Sequence, residues 1–249
     1  MLELKNVSAG YGESSVLKGV STTFEKGKLT SIIGKNGCGK STLLKSILGI
    51  LPLSSGKVVV DGNNLHSMSR NEIAKKVAYL AQGKSTPDMT VEQMVLHGRF
   101  PHLSYPRRYQ EADREIARKA MGVVGIYHLA DKPLFTLSGG TRQNAYIAMA
   151  LAQDIDYILL DEPTTYLDIA HQRELMNLLV KLANRGKGII TVMHDLPLAF
   201  NFSNTVAVIQ NGTVVAHAEP SEICGSSVLD EVFGVKIERL LNDKFYYDY

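Results

Sequence analysis

The run GKNGCGKST, residues 34 to 42, sets a lysine and a serine behind closely spaced glycines. It fits the pattern G-x-x-x-x-G-K-[ST] through Gly34, Gly39, Lys40 and Ser41. Glycines let backbone N–H groups close on phosphate, the lysine neutralises the terminal phosphates of a nucleoside triphosphate, and the serine hydroxyl is placed to ligate Mg2+. The apolar stretch LTSII precedes the loop and the helical pattern STLLKSILG follows it, which is the context this chemistry requires. Gly34, Asn36, Gly37, Cys38, Gly39, Lys40, Ser41 and Thr42 are the expected nucleoside-triphosphate cradle. Within it, Cys38 lies near a helix start and two residues from Lys40. Both features favour a thiolate, so its pKa is expected below the roughly 8.5 of a free cysteine.

A second group sits in YILLDEP, where four apolar residues lead into Asp161 and Glu162. A buried strand ending in acids presents them at its carboxyl end, where open α/β sheets place their sites. Asp161 is suited to hold Mg2+ through water, and Glu162 to polarise an attacking water as general base. An acidic pair closing a strand is ambiguous alone, and the glycine loop upstream decides it.

These groups need a scaffold. Strands are expected around Leu2 to Ala9, Val16 to Glu25 and Lys28 to Ile33, in GKVVVDG (56 to 62), and at the end of KKVAYLAQ. From Gly83 the pattern turns helical in PDMTVEQMVLHGRF and RRYQEADREIARKAMGVVGI, with FPHLSYP as a proline-interrupted break. The strand DYILLD, the helix AHQRELMNLLVKLANRG, the strand GIITVMH and a hairpin turning at Asn211–Gly212 follow. The expected fold is α/β: a P-loop core with a mainly parallel sheet and helices on both faces, an N-terminal antiparallel β portion, and an inserted helical subdomain. Residues 1–82 and 153–224 form the expected core, 83–152 the helical subdomain and 225–249 a tail, all within one domain. No internal repeat or low-complexity segment interrupts this plan.

LSGGTRQ raises a further question, because Ser138, Gly139 and Gly140 open a helix and so make a second phosphate-attracting end. The glycine loop, LSGG, LLDEP and a histidine after the next strand occur in an order that resembles the ATP-binding subunits of ABC transporters, over nearly the whole chain to about Ile223. In that family two subunits pack head to tail, and the loop of one and the signature helix of the other clamp the same ATP. The resemblance implies a dimer in which Ser138, Gly139 and Gly140 serve the partner's nucleotide. It also implies that Tyr11 stacks on adenine and that Gln82 touches Mg2+ and the attacking water. By the same resemblance His194 contacts the γ-phosphate and Asp168 belongs to a loop at the dimer interface. Read alone, Tyr11 is a strand-end tyrosine, Gln82 a loop residue, His194 a structural histidine and Asp168 a helix N-cap. Thr141, Asn144–Ala145 and Lys35 depart from the family's commoner residues without touching the Ser–Gly–Gly group.

HGRFPH, IAMALAQD and DEPTTYLDIAHQ are similar to the importer branch for iron–siderophores, haem and cobalamin. That likeness implies an ATPase on the cytoplasmic face of the membrane, bound to a permease and served indirectly by an extracytoplasmic solute-binding protein. Other ABC importers and a soluble ABC-type switch are the alternatives.

Composition narrows the field. A net charge of +2 over 249 residues is too mild to argue for nucleic acid or an anionic membrane as a partner. Hydrophobic content of 45% suits a buried core, and no apolar run reaches the roughly 18 residues of a membrane span. Two cysteines, Cys38 and Cys224, form no metal-spaced set and fit a reducing compartment. Packing is the expected role of the aromatics in KIERLLNDKFYYDY.

Overall fold

The computed structural model describes residues 1–83, 86–239 and 245–248. Alternation in LELKNVSAGY turns Leu2, Leu4, Val7 and Ala9 inward and makes β1 (Leu2–Tyr11), with β2 (Ser14–Phe24) antiparallel beside it. The five residues of β3 (Leu29–Ile33) are all buried, the mark of a central parallel strand, and α1 (Lys40–Ile47) follows the glycine loop. β4 (Leu53–Val60) and the two-residue β5 (Asn63–Asn64) complete an antiparallel sheet of order β2-β1-β4-β5. β4 begins ahead of Gly56, where the sequence places its start. Gly56 carries the strand past β1 at φ 81°, and a Cβ there would stand 2.2 Å from the Asn6 carbonyl oxygen.

The remaining elements are α2 (Arg70–Ala74), β6 (Val77–Leu80), α3 (Val91–Leu96), α4 (Glu111–Val123) and α5 (Gly139–Ala152). Then come β7 (Tyr157–Asp161), α6 (Ile169–Asn184), β8 (Gly188–Val192), α7 (Leu196–Phe202), β9 (Thr205–Gln210) and β10 (Thr213–Ala218). α8 (Pro220–Cys224), α9 (Val228–Phe233) and the hairpin β11 (Lys236–Arg239) and β12 (Phe245–Asp248) close the chain. The second sheet has the order β10-β9-β3-β8-β7-β6, parallel throughout except for β10, which returns through the Asn211–Gly212 turn.

Its two faces bury different partners. One face packs Ile158, Leu160, Ile189 and Val208 against the helices α5, α6 and α7. The other packs Ile32, Leu159, Ile190 and Val192 against α1 and the antiparallel sheet. Helices therefore lie on both faces, but the second face is shared with strands.

The helical stretch after Gly83 is more broken than its periodicity suggests. α3 ends at Leu96 and the chain tightens into a 3₁₀ turn over His97–His102 that runs through Pro101. The cause is contact with α5: a Cβ on Gly98 would stand 2.1 Å from the Met149 carbonyl oxygen, so the backbone comes as close as glycine allows. Buried Arg99 then donates to Asp113 at 3.1 Å and to the Ala152 carbonyl at 2.9 Å. In the tail, Phe245 is buried on the Phe200 ring, edge to face at 5.7 Å, as expected for packing; Leu240 to Lys244 and Tyr249 lie outside the described residues. Among the described residues no helix is long and apolar enough to cross a membrane.

Candidate nucleotide site

The carboxyl ends of four neighbouring parallel strands meet at one edge of the larger sheet. β3 runs into the glycine loop, β8 into His194, β7 into Asp161 and Glu162, and β6 into Gln82. Parallel strands end together, so residues far apart in sequence converge there.

The loop is shaped by its glycines. Gly39 has φ 111° and starts α1 with no side-chain cap, leaving the first amides of the helix without a side-chain acceptor. At Gly34 a Cβ would stand 2.4 Å from the Ile209 carbonyl oxygen, so β9 closes the back of the loop. The Gly212 N–H donates to the Cys38 carbonyl at 3.1 Å from the same side. Lys40 is buried, and its Nζ donates to the carbonyls of Gly34 at 2.7 Å and Lys35 at 3.1 Å, which fixes the ammonium over the loop. A cradle of unpaired helix-start amides with a cation above it fits a polyphosphate.

Ser41 Oγ donates to Asp161 Oδ1 at 3.0 Å, so the hydroxyl and carboxylate suited to Mg2+ are already side by side. Tyr79 donates to Asp161 Oδ2 at 3.0 Å, and burial followed by the Asp161 charge pushes its phenol well above its ordinary value, which keeps it a donor. Among the described residues no three His, Cys, Asp or Glu side chains gather to hold a metal. Mg2+ here would therefore draw its remaining ligands from phosphate oxygens and water, the usual arrangement for that ion.

Glu162 adopts φ 50°, a left-handed conformation that costs a non-glycine residue about 1 kcal/mol or more and is common at functional sites. Gln82 Nε2 donates to its Oε2 at 2.6 Å, and His194 Nε2 lies 2.5 Å from its Oε1. Thr165 Oγ1 adds a 3.4 Å contact to Oε2. Gln82, Glu162 and His194 face Lys40, Ser41 and Thr42 across a cleft of about 410 Å³ that Asn36 and Gly37 also line. No sequence motif marks Tyr79 or Thr165. The alternation in VAYL could have shown Tyr79 facing away from Leu80, but not that it meets Asp161.

The other expected residues are placed as follows. Tyr11 ends β1 with half its surface exposed. Ser138 caps α5, accepting from the Thr141 N–H at 3.3 Å and pairing with the Thr141 hydroxyl at 2.9 Å, so the unusual Thr141 reinforces the cap. Gly139 and Gly140 are the first residues of α5. Asp168 caps α6 through the His171 N–H at 2.9 Å. One expectation fails: the Cys38 thiol is pushed up, not down. It is half-buried in the core beneath the loop, and that burial outweighs the Lys40 charge and the backbone N–H groups that favour a thiolate.

A glycine-loop cradle joined to a strand-end Asp–Glu pair in a mainly parallel sheet defines a P-loop nucleoside triphosphatase core. Residues 17–165 match the ABC transporter family, and the chain belongs to it, as an ATP-binding cassette with ATPase activity. The chain is 40% identical over 235 residues to the ferric enterobactin transport ATP-binding protein FepC of Escherichia coli, covering 93% of this chain and 86% of that one. It is 41% identical over 239 residues to the iron(3+)-hydroxamate import ATP-binding protein FhuC of Bacillus subtilis, covering 95% and 89%. A nucleotide-free ATP-binding cassette from an ABC transporter superposes with a TM-score of 0.85 at 27% identity, covering 93% of this chain and 96% of that one. A bacterial ABC transporter cassette solved as a dimer gives 0.75 at 29%, covering 88% and 99%.

Proposed function

We propose that this chain hydrolyses Mg-ATP to drive import of an iron–siderophore, or a related haem or cobalamin-type cargo, through a membrane permease. It works as a head-to-tail dimer on the cytoplasmic face, with an extracytoplasmic solute-binding protein delivering the cargo. The observation that carries the hydrolytic part is Glu162 held between Gln82 and His194, directly across the cleft from Lys40. Likeness to import subunits for iron chelates supports the cargo class.

The roles follow from position. The loop amides and Lys40 bind and neutralise the phosphates; Ser41 and Asp161 are the residues that would hold Mg2+, which would supply further neutralisation of the phosphate charge. Glu162 accepts the proton of the attacking water. Both of its oxygens are engaged, so the water takes the place of one of these bonds, and Gln82 and His194 are the groups that turn from Glu162 toward the nucleotide. Tyr11 supplies a ring for adenine. Residues 83–152 act as a helical subdomain whose Ser138, Gly139 and Gly140 reach the partner's ATP, and Asp168 lies at the junction.

Proteoliposomes carrying this chain with the permease that co-purifies with it test the cargo. The expected result is ATP-dependent uptake of a ferric siderophore, absent from vesicles made with Glu162→Gln. Normal ATP hydrolysis accompanied by uptake of a free metal ion, and of no chelate, would refute the assigned cargo.

A further inference from the structure

The signature glycines and the loop around Asp168 lie against each other in this chain, and one side chain joins them. The ring of His171, on the first turn of α6, has two working edges. Nδ1 lies 2.8 Å from both carboxylate oxygens of Asp168. A carboxylate only accepts, so Nδ1 carries the proton and donates. The opposite edge meets the signature backbone: a Cβ on Gly140 would stand 2.7 Å from His171 Cδ2 and 3.2 Å from Cγ. Nothing larger than glycine fits at 140 while the ring stays where it is. Leu167 makes a second, looser contact, its Cδ2 3.7 Å from a Cβ built on Gly139.

We propose that His171 is a positioning residue that sets the spacing between the signature glycines and Asp168, by wedging its ring on Gly140 while its Nδ1 holds the Asp168 carboxylate. The inference rests on the shared-site reading, in which both groups of one chain face the partner's ATP. Misplacing them by about 1 Å costs on the order of a hundredfold in rate when the bound geometry governs the chemistry. The pair also makes the device pH-dependent. Asp168 and Glu174 are the charged groups around the ring, and α5 contributes the uncharged Gly140, Thr141, Gln143 and Asn144 to the small pocket beside it. The bond to Asp168 raises the His171 pKa above 6.5, so the charge-assisted bond is complete at low pH and weakens as pH rises through the raised value.

Substitution separates the two edges. His171→Phe keeps a ring against Gly140 and loses the donor. His171→Asn keeps an N–H near the Nδ1 position and loses the ring. Each is expected to lower kcat by about tenfold or more while ATP affinity of the monomer stays at the wild-type value. The ratio of wild-type to His171→Asn kcat should fall as pH rises through the His171 titration, a change that a purely structural role would not produce. In a Glu162→Gln background, either variant should raise the ATP concentration needed for dimerisation, read by size-exclusion chromatography. If Glu162→Gln with His171 intact forms no dimer on ATP, the shared-site reading fails. If it dimerises, and both His171 variants dimerise at the same ATP concentration and turn over at the wild-type rate with Glu162 present, the positioning role is overturned. Loss of monomer ATP binding in both variants would equally reject it, because the damage would then lie in the fold.

Discussion

Glu162 reaches its place by a strained backbone and is then fixed by Gln82 and His194, with Thr165 behind it. The task proposed for its carboxylate is one that an amide cannot perform, accepting a proton. Glu162→Gln should therefore reduce turnover by about 10²-fold or more and leave ATP affinity near normal, as single-turnover hydrolysis and equilibrium binding would show. Residual turnover within a factor of a few would place the base elsewhere. Cys38 illustrates the opposite case, a residue whose neighbours in sequence suggest one chemistry and whose burial imposes another. Because its thiol is pushed up, the thiolate fraction is small at neutral pH and grows only as pH climbs through the raised pKa. Burial pushes the Cys224 thiol up to about 11. Maleimide should label both thiols more slowly in the native protein than in denaturant at neutral pH, with the native rate rising steeply in alkali. Fast native labelling of Cys38 at neutral pH, read by mass spectrometry, would contradict its burial.

The elements deliver these residues by simple means. The strand–loop–helix at β3 and α1, the buried β7 ending in acids and the Asn-Gly hairpin were readable because each is encoded locally, by glycine spacing, by an apolar run, or by a turn dipeptide. The contacts that turn them into a site were not, because Ser41 with Asp161, Tyr79 with Asp161 and Gln82 with Glu162 join elements far apart in the sequence: Ser41 on α1, Tyr79 and Gln82 on or just after β6, and Asp161 and Glu162 at the end of β7. Periodicity likewise could not foresee that Gly98 presses on α5 and tightens the chain there. The hairpin turn shows how such long-range fit is enforced. Gly212 adopts φ 83°, accepts from the Lys18 N–H at 2.9 Å and donates to the Cys38 carbonyl at 3.1 Å, so it ties both the antiparallel sheet and the glycine loop to β9–β10. A Cβ there would stand 1.9 Å from the Val16 carbonyl oxygen. Gly212→Ala should cost about 1–3 kcal/mol, a fall of about 2–4 °C in Tm per kcal/mol, and should weaken ATP binding through the displaced loop. An unchanged Tm in thermal unfolding would show that the turn is slack.

At the level of the whole molecule, the proposed function assigns the two phosphate-attracting helix ends of one chain to different nucleotides. The cradle at α1 and the capped start of α5 belong to separate elements, Ser138 and Gly139 are exposed and Gly140 partly so, and under the proposed function these three serve the ATP of a second copy. Ser138→Arg would place bulk and charge there and remove the cap on α5, while Lys40→Ala empties the cradle of its cation. Each variant alone should be inactive, since a dimer of either has two damaged sites. A mixed dimer of Ser138→Arg with Lys40→Ala gathers both defects into one site and leaves the other chemically complete. The most direct test is therefore ATP hydrolysis by separately tagged, co-purified mixed dimers. The mixed dimers should regain hydrolysis that neither parent shows, and mixed dimers as inactive as both parents would contradict the shared sites.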